Sequence, residues 1–128
     1  KVPILIHAFH KAIGQLKNES LGPNVANLAK LYPESKIMMA HLGANCYLGV
    51  KSIKDCPNVS VDVSGSIFRK DDIDYTKQLL GVDRILFGSD MPYINFIVSY
   101  GQIEEADLTA EEKEQIYYKN ALKLFRRE

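Results

Sequence analysis

Three side chains able to hold a metal ion close apolar, strand-like runs in this sequence. His7 follows Ile4-Leu5-Ile6, His41 follows Ile37-Met38-Met39-Ala40, and Asp90 ends the run Ile85-Leu86-Phe87-Gly88-Ser89. Packing gives no reason for an acid at the tip of a buried strand, since Asp is rarely buried without a partner. Capping of a following helix is the plain alternative for Asp90, as simple structural burial is for either histidine. Two imidazoles and a carboxylate are a donor set for zinc or a similar divalent ion. The chemistry indicated is metal-assisted, on condition that the fold brings all three strand ends to one face.

The elements between these residues predict such a fold. Residues 3–7, 37–40, 59–63 and 84–87 read as strands, bounded by glycine and proline. Helices are predicted over 23–31, 45–54, from Asp71 or Asp72 to Leu80, and over 94–105. A last helix follows the capping box Thr109-Ala110-Glu111-Glu112 and runs to the C-terminus. Residues 8–21 read as a loop with room for a short helix. Val25, Leu28 and Leu31 make the expected apolar face of the first helix, and Tyr117, Leu122 and Phe125 the core contacts of the last.

Strands alternating with helices argue for a parallel sheet of the α/β class. Four such units are about half of an eight-stranded barrel, which takes about 250 residues; a free-standing open sheet is the rival. In either architecture the C-terminal strand ends share one face, and that face carries the site. Alternation along each strand groups Leu5 with His7, Met39 with His41, and Leu86 with Gly88 and Asp90 on the inward side. The third strand alternates too, with Ser60, Asp62 and Ser64 on one side and Val59, Val61 and Val63 on the other. Its polar side faces either solvent or the interior of a barrel mouth.

Other residues carry weaker signals. His10 lies three positions past His7, Asp62 could accept a hydrogen bond inside a barrel, Arg69 could hold an anion, and Ser89 follows a glycine. No Gly-rich phosphate loop and no Gly-x-Ser-x-Gly elbow is present.

Composition bounds the rest. The 128 residues are 46% hydrophobic and 25% charged, an ordinary globular balance and one domain's worth of chain, taken here as residues 1–128. Sixteen basic and sixteen acidic residues cancel, which leaves no electrostatic footprint for nucleic acid. No apolar run approaches the roughly 20 residues that cross a bilayer. Cys46 and Cys56 lack metal-finger spacing and read as buried thiols in a reducing, cytoplasmic setting. The chain opens Lys1-Val2-Pro3 and enters a strand at once, so a preceding segment is expected.

Several of these stretches together resemble a known family. They are Pro3-Ile4-Leu5-Ile6-His7-Ala8, Tyr32-Pro33 before Lys36-Ile37-Met38-Met39-Ala40-His41-Leu42-Gly43, Asn58-Val59-Ser60-Val61-Asp62-Val63-Ser64-Gly65, and Asp83-Arg84-Ile85-Leu86-Phe87-Gly88-Ser89-Asp90-Met91-Pro92. With the closing Lys119-Asn120-Ala121-Leu122-Lys123-Leu124-Phe125, they look like the second half of the amidohydrolase-related family. These are metal-dependent (β/α)8 barrels that include hydrolases, lactonases and the aminocarboxymuconate semialdehyde decarboxylase group.

The resemblance implies the C-terminal half of a TIM-type barrel, strands five to eight with their helices. His7 is then similar to the strand-five metal ligand, and His41 to the strand-six histidine that orients substrate or the metal-bound water. Asp90 is similar to the strand-eight aspartate, which ligates the metal or accepts the water's proton. The implied cofactor is a divalent metal, zinc or else manganese. The family's His-x-His of strand one lies outside these 128 residues, and His7-Ala8-Phe9-His10 has the wrong spacing to replace it. The expected reaction is metal-assisted hydrolysis of a small-molecule ester, lactone or amide. Non-oxidative decarboxylation of a small aromatic or unsaturated acid is the alternative, and a non-catalytic half-barrel for binding or assembly is the third. The expected partner is the missing N-terminal half-barrel or a second copy, with neither nucleic acid nor membrane involved.

Overall fold

The computed structural model describes residues 2–66 and 68–126 of the chain. Four short strands, β1 (Ile4–Ile6), β2 (Ile37–Met39), β3 (Val59–Asp62) and β4 (Ile85–Leu86), form one sheet in sequence order, and each neighbouring pair is parallel. Parallel neighbours need a crossover, and helices supply each one. These are α1 (Gly22–Leu31), α2 (Cys46–Ser52) and α3 (Asp72–Leu80). Beyond β4 come α4 (Phe96–Glu105), α5 (Ala110–Glu114), a π-helical turn at Gln115–Lys119, and α6 (Asn120–Phe125). The Thr109 hydroxyl accepts from Glu112 N at 3.2 Å and the Glu112 carboxylate accepts from Thr109 N at 2.9 Å, which makes the expected capping box. No helix forms within 8–21, and Arg127 and Glu128, in the expected last helix, lie outside the described residues. Among the described residues no helix is long and apolar enough to cross a membrane.

The core lies between the sheet and its helices. Ile37, Met39, Val59, Val61 and Ile85 of the strands are fully buried in one cluster with Val25, Ala29, Val50, Ile53 and Ile73. Each of the larger side chains, Ala29 apart, stabilises the fold by roughly 1.5 to 3 kcal/mol relative to exposure. The valine side of β3 is therefore the helix-covered side, and Asp62 and Ser64 belong to the other.

Three expectations about facing residues are corrected here. In β2 it is Met38, the register partner of Leu5, that faces away from the helices, while Met39 is buried in the core. In α1 Val25 is buried and Leu28 packs partly against the core, but Ala26 and Ala29 complete the inner face and Leu31 is 73% exposed. Close approach explains it: a Cβ on Gly22 would stand 2.8 Å from the Cα of Gly49 in α2, so only small residues fit between the helices. In the last helix Ile116 and Asn120 are buried, whereas Leu122 is 64% and Phe125 53% exposed. Asn120 donates to the carbonyls of Val82 and Ile85 at 2.8 and 2.7 Å. With that residue inward, positions 122 and 125 point about 200° and 140° away from it.

The N-terminal ends of the strands serve stability. Asn58 Nδ2 donates to the carbonyls of Ala29, Tyr32 and Ser35 at 3.1 to 3.2 Å. The Arg84 guanidinium donates to the carbonyls of Ile53, Cys56 and Val59 at 3.1, 2.8 and 2.7 Å. Among these, Ala29 and Tyr32 at the end of α1 and Ile53 at the end of α2 carry carbonyls left without helical partners. Burial holds the Arg84 guanidinium below its ordinary value, yet the carbonyl cage suits a cation.

Candidate active site at the strand ends

His7, His41 and Asp90 line one cleft of about 470 Å³ at the C-terminal ends of the strands, together with Leu5, Met38, Asp62, Ser64 and Phe87. Each arrives differently. His7 follows β1 with the same parity as Leu5, so simple alternation aims it at the cleft. Asp90 sits past β4 in the left-handed region at φ 59° and is exposed at the rim.

His41 reaches the cleft by a turn rather than by alternation. Met39 is buried on the helix side, so an extended continuation would bury His41 there as well. Instead the chain coils at Ala40–Gly43, where His41 has φ 62°, ψ 25° and Leu42 φ 49°, ψ 21°. Left-handed backbone at two residues with side chains costs roughly 1 to 2 kcal/mol each and persists only where surrounding contacts over-determine it. Those contacts are visible. His41 N donates to Asp62 Oδ1 at 3.1 Å, and Ala44 N donates back to the His41 carbonyl at 2.6 Å.

The polar side of β3 completes this arrangement. Asp62 Oδ1 also accepts from Ser64 N at 2.9 Å and touches Ser64 Oγ. Ser64 Oγ lies 2.8 Å from His41 Nδ1, and His41 Nε2 lies 3.0 Å from His7 Nδ1. Four side chains thus form one hydrogen-bonded chain, Asp62–Ser64–His41–His7. Phe9 stacks on His7 at 5.7 Å between ring centroids and meets His41 edge-on at 5.8 Å. Sequence reasoning left Asp62 between solvent and interior and passed over Ser64. The Asp62-x-Ser64 alternation was the available signal.

The weaker candidates sit elsewhere. His10 donates its backbone N–H to the Gly43 carbonyl at 3.1 Å and does not line the cleft. Arg69 lies over the Tyr47 ring at 5.4 Å, and Ser89 Oγ accepts from Met91 N at 3.4 Å. Cys46 and Cys56 are free, buried thiols. Burial, followed by the hydrogen bond from Cys46 Sγ to Asp72 Oδ1 at 2.8 Å, pushes the Cys46 thiol far up. It is an inert structural thiol rather than a nucleophile.

As a metal centre the set is right in type and incomplete in number. Two ligand nitrogens on a tetrahedral zinc stand about 3.3 Å apart. His7 Nδ1 and His41 Nε2, at 3.0 Å, hydrogen-bond to each other instead. Among the described residues no three His, Cys, Asp or Glu side chains converge closely enough to hold an ion.

A family profile described as Amidohydrolase matches residues 1–127. The chain belongs to the amidohydrolase family. No curated protein matches it. Among solved structures, this amidohydrolase-family chain is similar to 2,6-dihydroxybenzoate decarboxylase from Rhizobium, with 17% identity and a TM-score of 0.67, over 97% of this chain and 51% of that one. It is similar to dihydroxybenzoic acid decarboxylase from a Polaromonas species with bound manganese and the inhibitor 2-nitroresorcinol, at 22% identity and TM-score 0.63, over 81% and 38%. It is also similar to an amidohydrolase from Burkholderia multivorans with bound zinc, at 17% identity and TM-score 0.67, over 84% and 50%. These likenesses show the fold. The chain spans between 38% and 51% of the length of these structures.

Proposed function

We propose that this chain forms strands five to eight of a (β/α)8 barrel, the C-terminal half, and carries part of the active site of a metal-dependent amidohydrolase. The observation that supports it is the convergence of His7, His41 and Asp90 on one cleft in a chain of this family. His7 and Asp90 would hold a divalent ion, zinc or manganese, with the remaining donors from the strands that the chain does not contain. When bound, such an ion supplies a Lewis acid that polarises a carbonyl and acidifies water. The Asp90 carboxylate would accept a proton from the attacking water. His41, anchored through Nδ1 by Ser64, would help to orient that water or the substrate. Leu5 and Met38 form an apolar wall suited to a small organic ester, lactone or amide.

A second reading keeps the site and changes the bond broken. Phe9, stacked on His7 and edge-on to His41, suits a flat aromatic acid, and two of the similar structures are dihydroxybenzoate decarboxylases. Non-oxidative decarboxylation would then replace hydrolysis.

One experiment on the intact protein separates these readings. Metal content is measured after chelation and reloading with zinc or manganese, and turnover is followed with lactones, esters and hydroxybenzoates. Alcohol, acid or amine release supports the hydrolase, and carbon dioxide release the decarboxylase. His7→Ala and Asp90→Ala are expected to lose metal or turnover. Wild-type metal content and rates in both variants overturn the assignment.

A further inference from the structure

The side chain of Ser64 bridges two groups that cannot both be donors to it or both be acceptors from it. On one side is Asp62 Oδ1, which already accepts from the backbone N–H groups of His41 and Ser64 at 3.1 and 2.9 Å. A carboxylate has acceptors only, so the single hydroxyl proton of Ser64 must lie on the Asp62 side. The Ser64 oxygen then offers only a lone pair to His41 Nδ1, 2.8 Å away, and that nitrogen must bring the proton. One step further along, neutral His41 has a lone pair on Nε2 and accepts from His7 Nδ1 at 3.0 Å. His7 in turn keeps its lone pair on Nε2.

The backbone around Ser64 is shaped to this contact. A Cβ at Gly65, which has φ +112°, would stand 3.1 Å from His41 Nδ1 and crowd the nitrogen that Ser64 reaches. A Cβ at Gly88 would stand 3.2 Å from Oδ1, Cβ and Cγ of Asp62. Asp62 and Ser64 are both buried, so water does not compete freely for these bonds.

We propose that Ser64 and Asp62 are positioning residues that lock His41 in the Nδ1–H tautomer and turn its Nε2 lone pair to His7 Nδ1. The consequence reaches His7: its donating Nδ1 leaves Nε2 as the nitrogen free for a metal ion. Neither Ser64 nor Asp62 touches substrate in this role. The arrangement does the work of a carboxylate that orients a histidine directly, with a hydroxyl inserted between the two. Its use in catalysis rests on the functional reading above, while the tautomer itself does not.

Side-chain nitrogen NMR on the intact, metal-free protein tests this, with histidines labelled in ¹⁵N and His41 assigned by its loss in His41→Gln. At a pH about two units above the ordinary histidine value, the wild-type His41 pattern is expected to be that of Nδ1–H. This is the minor tautomer of free histidine, so its dominance needs a cause. In Ser64→Ala the Nε2–H form is expected to become dominant, and Ser64→Thr is expected to restore Nδ1–H. A wild-type His41 in the Nε2–H form overturns the proposal without any variant, as does a folded Ser64→Ala with an unchanged pattern. The spectra do not depend on turnover. An inactive protein with the Nδ1–H signature would remove the functional reading and leave this one, and an active protein with the other tautomer would do the reverse.

Discussion

Gly43 and Gly49 meet backbone to backbone: a Cβ built on Gly43 would stand 2.7 Å from the Cα of Gly49. From the other side, a Cβ on Gly49 would stand 2.6 Å from the Leu42 carbonyl oxygen. This contact seats the coil carrying His41 directly on α2, and no side chain fits in it. Gly49→Ala is expected to destabilise the fold by about 1 to 3 kcal/mol through overpacking. It should also displace His41 from Asp62. Gly101 in α4 is the matched control, since nothing lies within 4 Å of a Cβ there. Gly101→Ala should stabilise by about 0.5 to 1 kcal/mol. Urea midpoints of the two variants check both signs.

The same coil marks where reading from sequence stops. Strand and helix alternation is legible because apolar runs and Gly/Pro boundaries follow directly from backbone periodicity, and all four strands and their crossovers sit where that pattern places them. His7 was legible for the same reason, lying one alternation past Leu5. His41 was found from a wrong parity. Met39 points to the helices, and only the left-handed turn at His41 and Leu42 brings the imidazole back to the cleft. Nothing in His-Leu itself encodes positive φ; Asp62, distant in sequence, and the packing of Gly43 on Gly49 impose it. The outward turn of Leu122 and Phe125 likewise follows from the inward pull of Asn120 on the carbonyls of Val82 and Ile85, which a hydrophobic pattern does not reveal.

Arg84 holds the N-terminal end of β4 to the end of α2 through three short hydrogen bonds to carbonyls. A lysine ammonium is a point donor and cannot span that fan of acceptors. Arg84→Lys is expected to lose about 2 kcal/mol, because buried carbonyls are left without partners while the charge stays buried. Chemical denaturation measures this. Because Arg84 lies at the opposite end of the strands from the cleft, metal content should not change.

Acid should loosen the outer helices first. The Tyr117 hydroxyl and then Lys113 hold Glu104 below its ordinary 4.5, Lys77 does the same for Glu112, and Tyr47 holds Asp71 below 3.8. A depressed carboxyl means that the unfolded chain binds more protons than the folded one across that interval. The stabilisation is therefore complete above about pH 4.5 and is lost as pH falls through the lowered folded values. At the alkaline end the sign reverses. The hydrogen bond to Asp71 raises Tyr47 from 10 to about 12, so its contribution is present below pH 10 and lost as pH climbs through about 12. Glu104→Gln should flatten the acid limb of a plot of urea midpoint against pH; because burial and then Glu104 raise the Tyr117 hydroxyl, the alkaline limb should shift as well. An unaltered acid limb would show that these surface bonds add nothing.

The two flanks of the sheet carry the last prediction. β1 pairs only with β2 and β4 only with β3 among the described residues, so both edges offer unpaired backbone groups. Beside the first edge Val2 and Leu5 are 83% and 60% exposed, and α6 turns Leu122 and Phe125 outward. Leaving several such side chains in water forgoes roughly 1.5 to 3 kcal/mol each, a sum comparable with the net stability of a whole domain. The proposed N-terminal half-barrel would cover these surfaces, and a second copy of the chain would cover them less well. The isolated 14.4 kDa chain is therefore expected to sediment above its monomer mass. Leu5→Lys together with Leu122→Glu should reduce that association. Supplying the upstream half of the parent protein in trans should replace it with a one-to-one complex of greater stability. A monodisperse, cooperatively unfolding monomer whose stability does not respond to the added half would overturn the half-barrel reading.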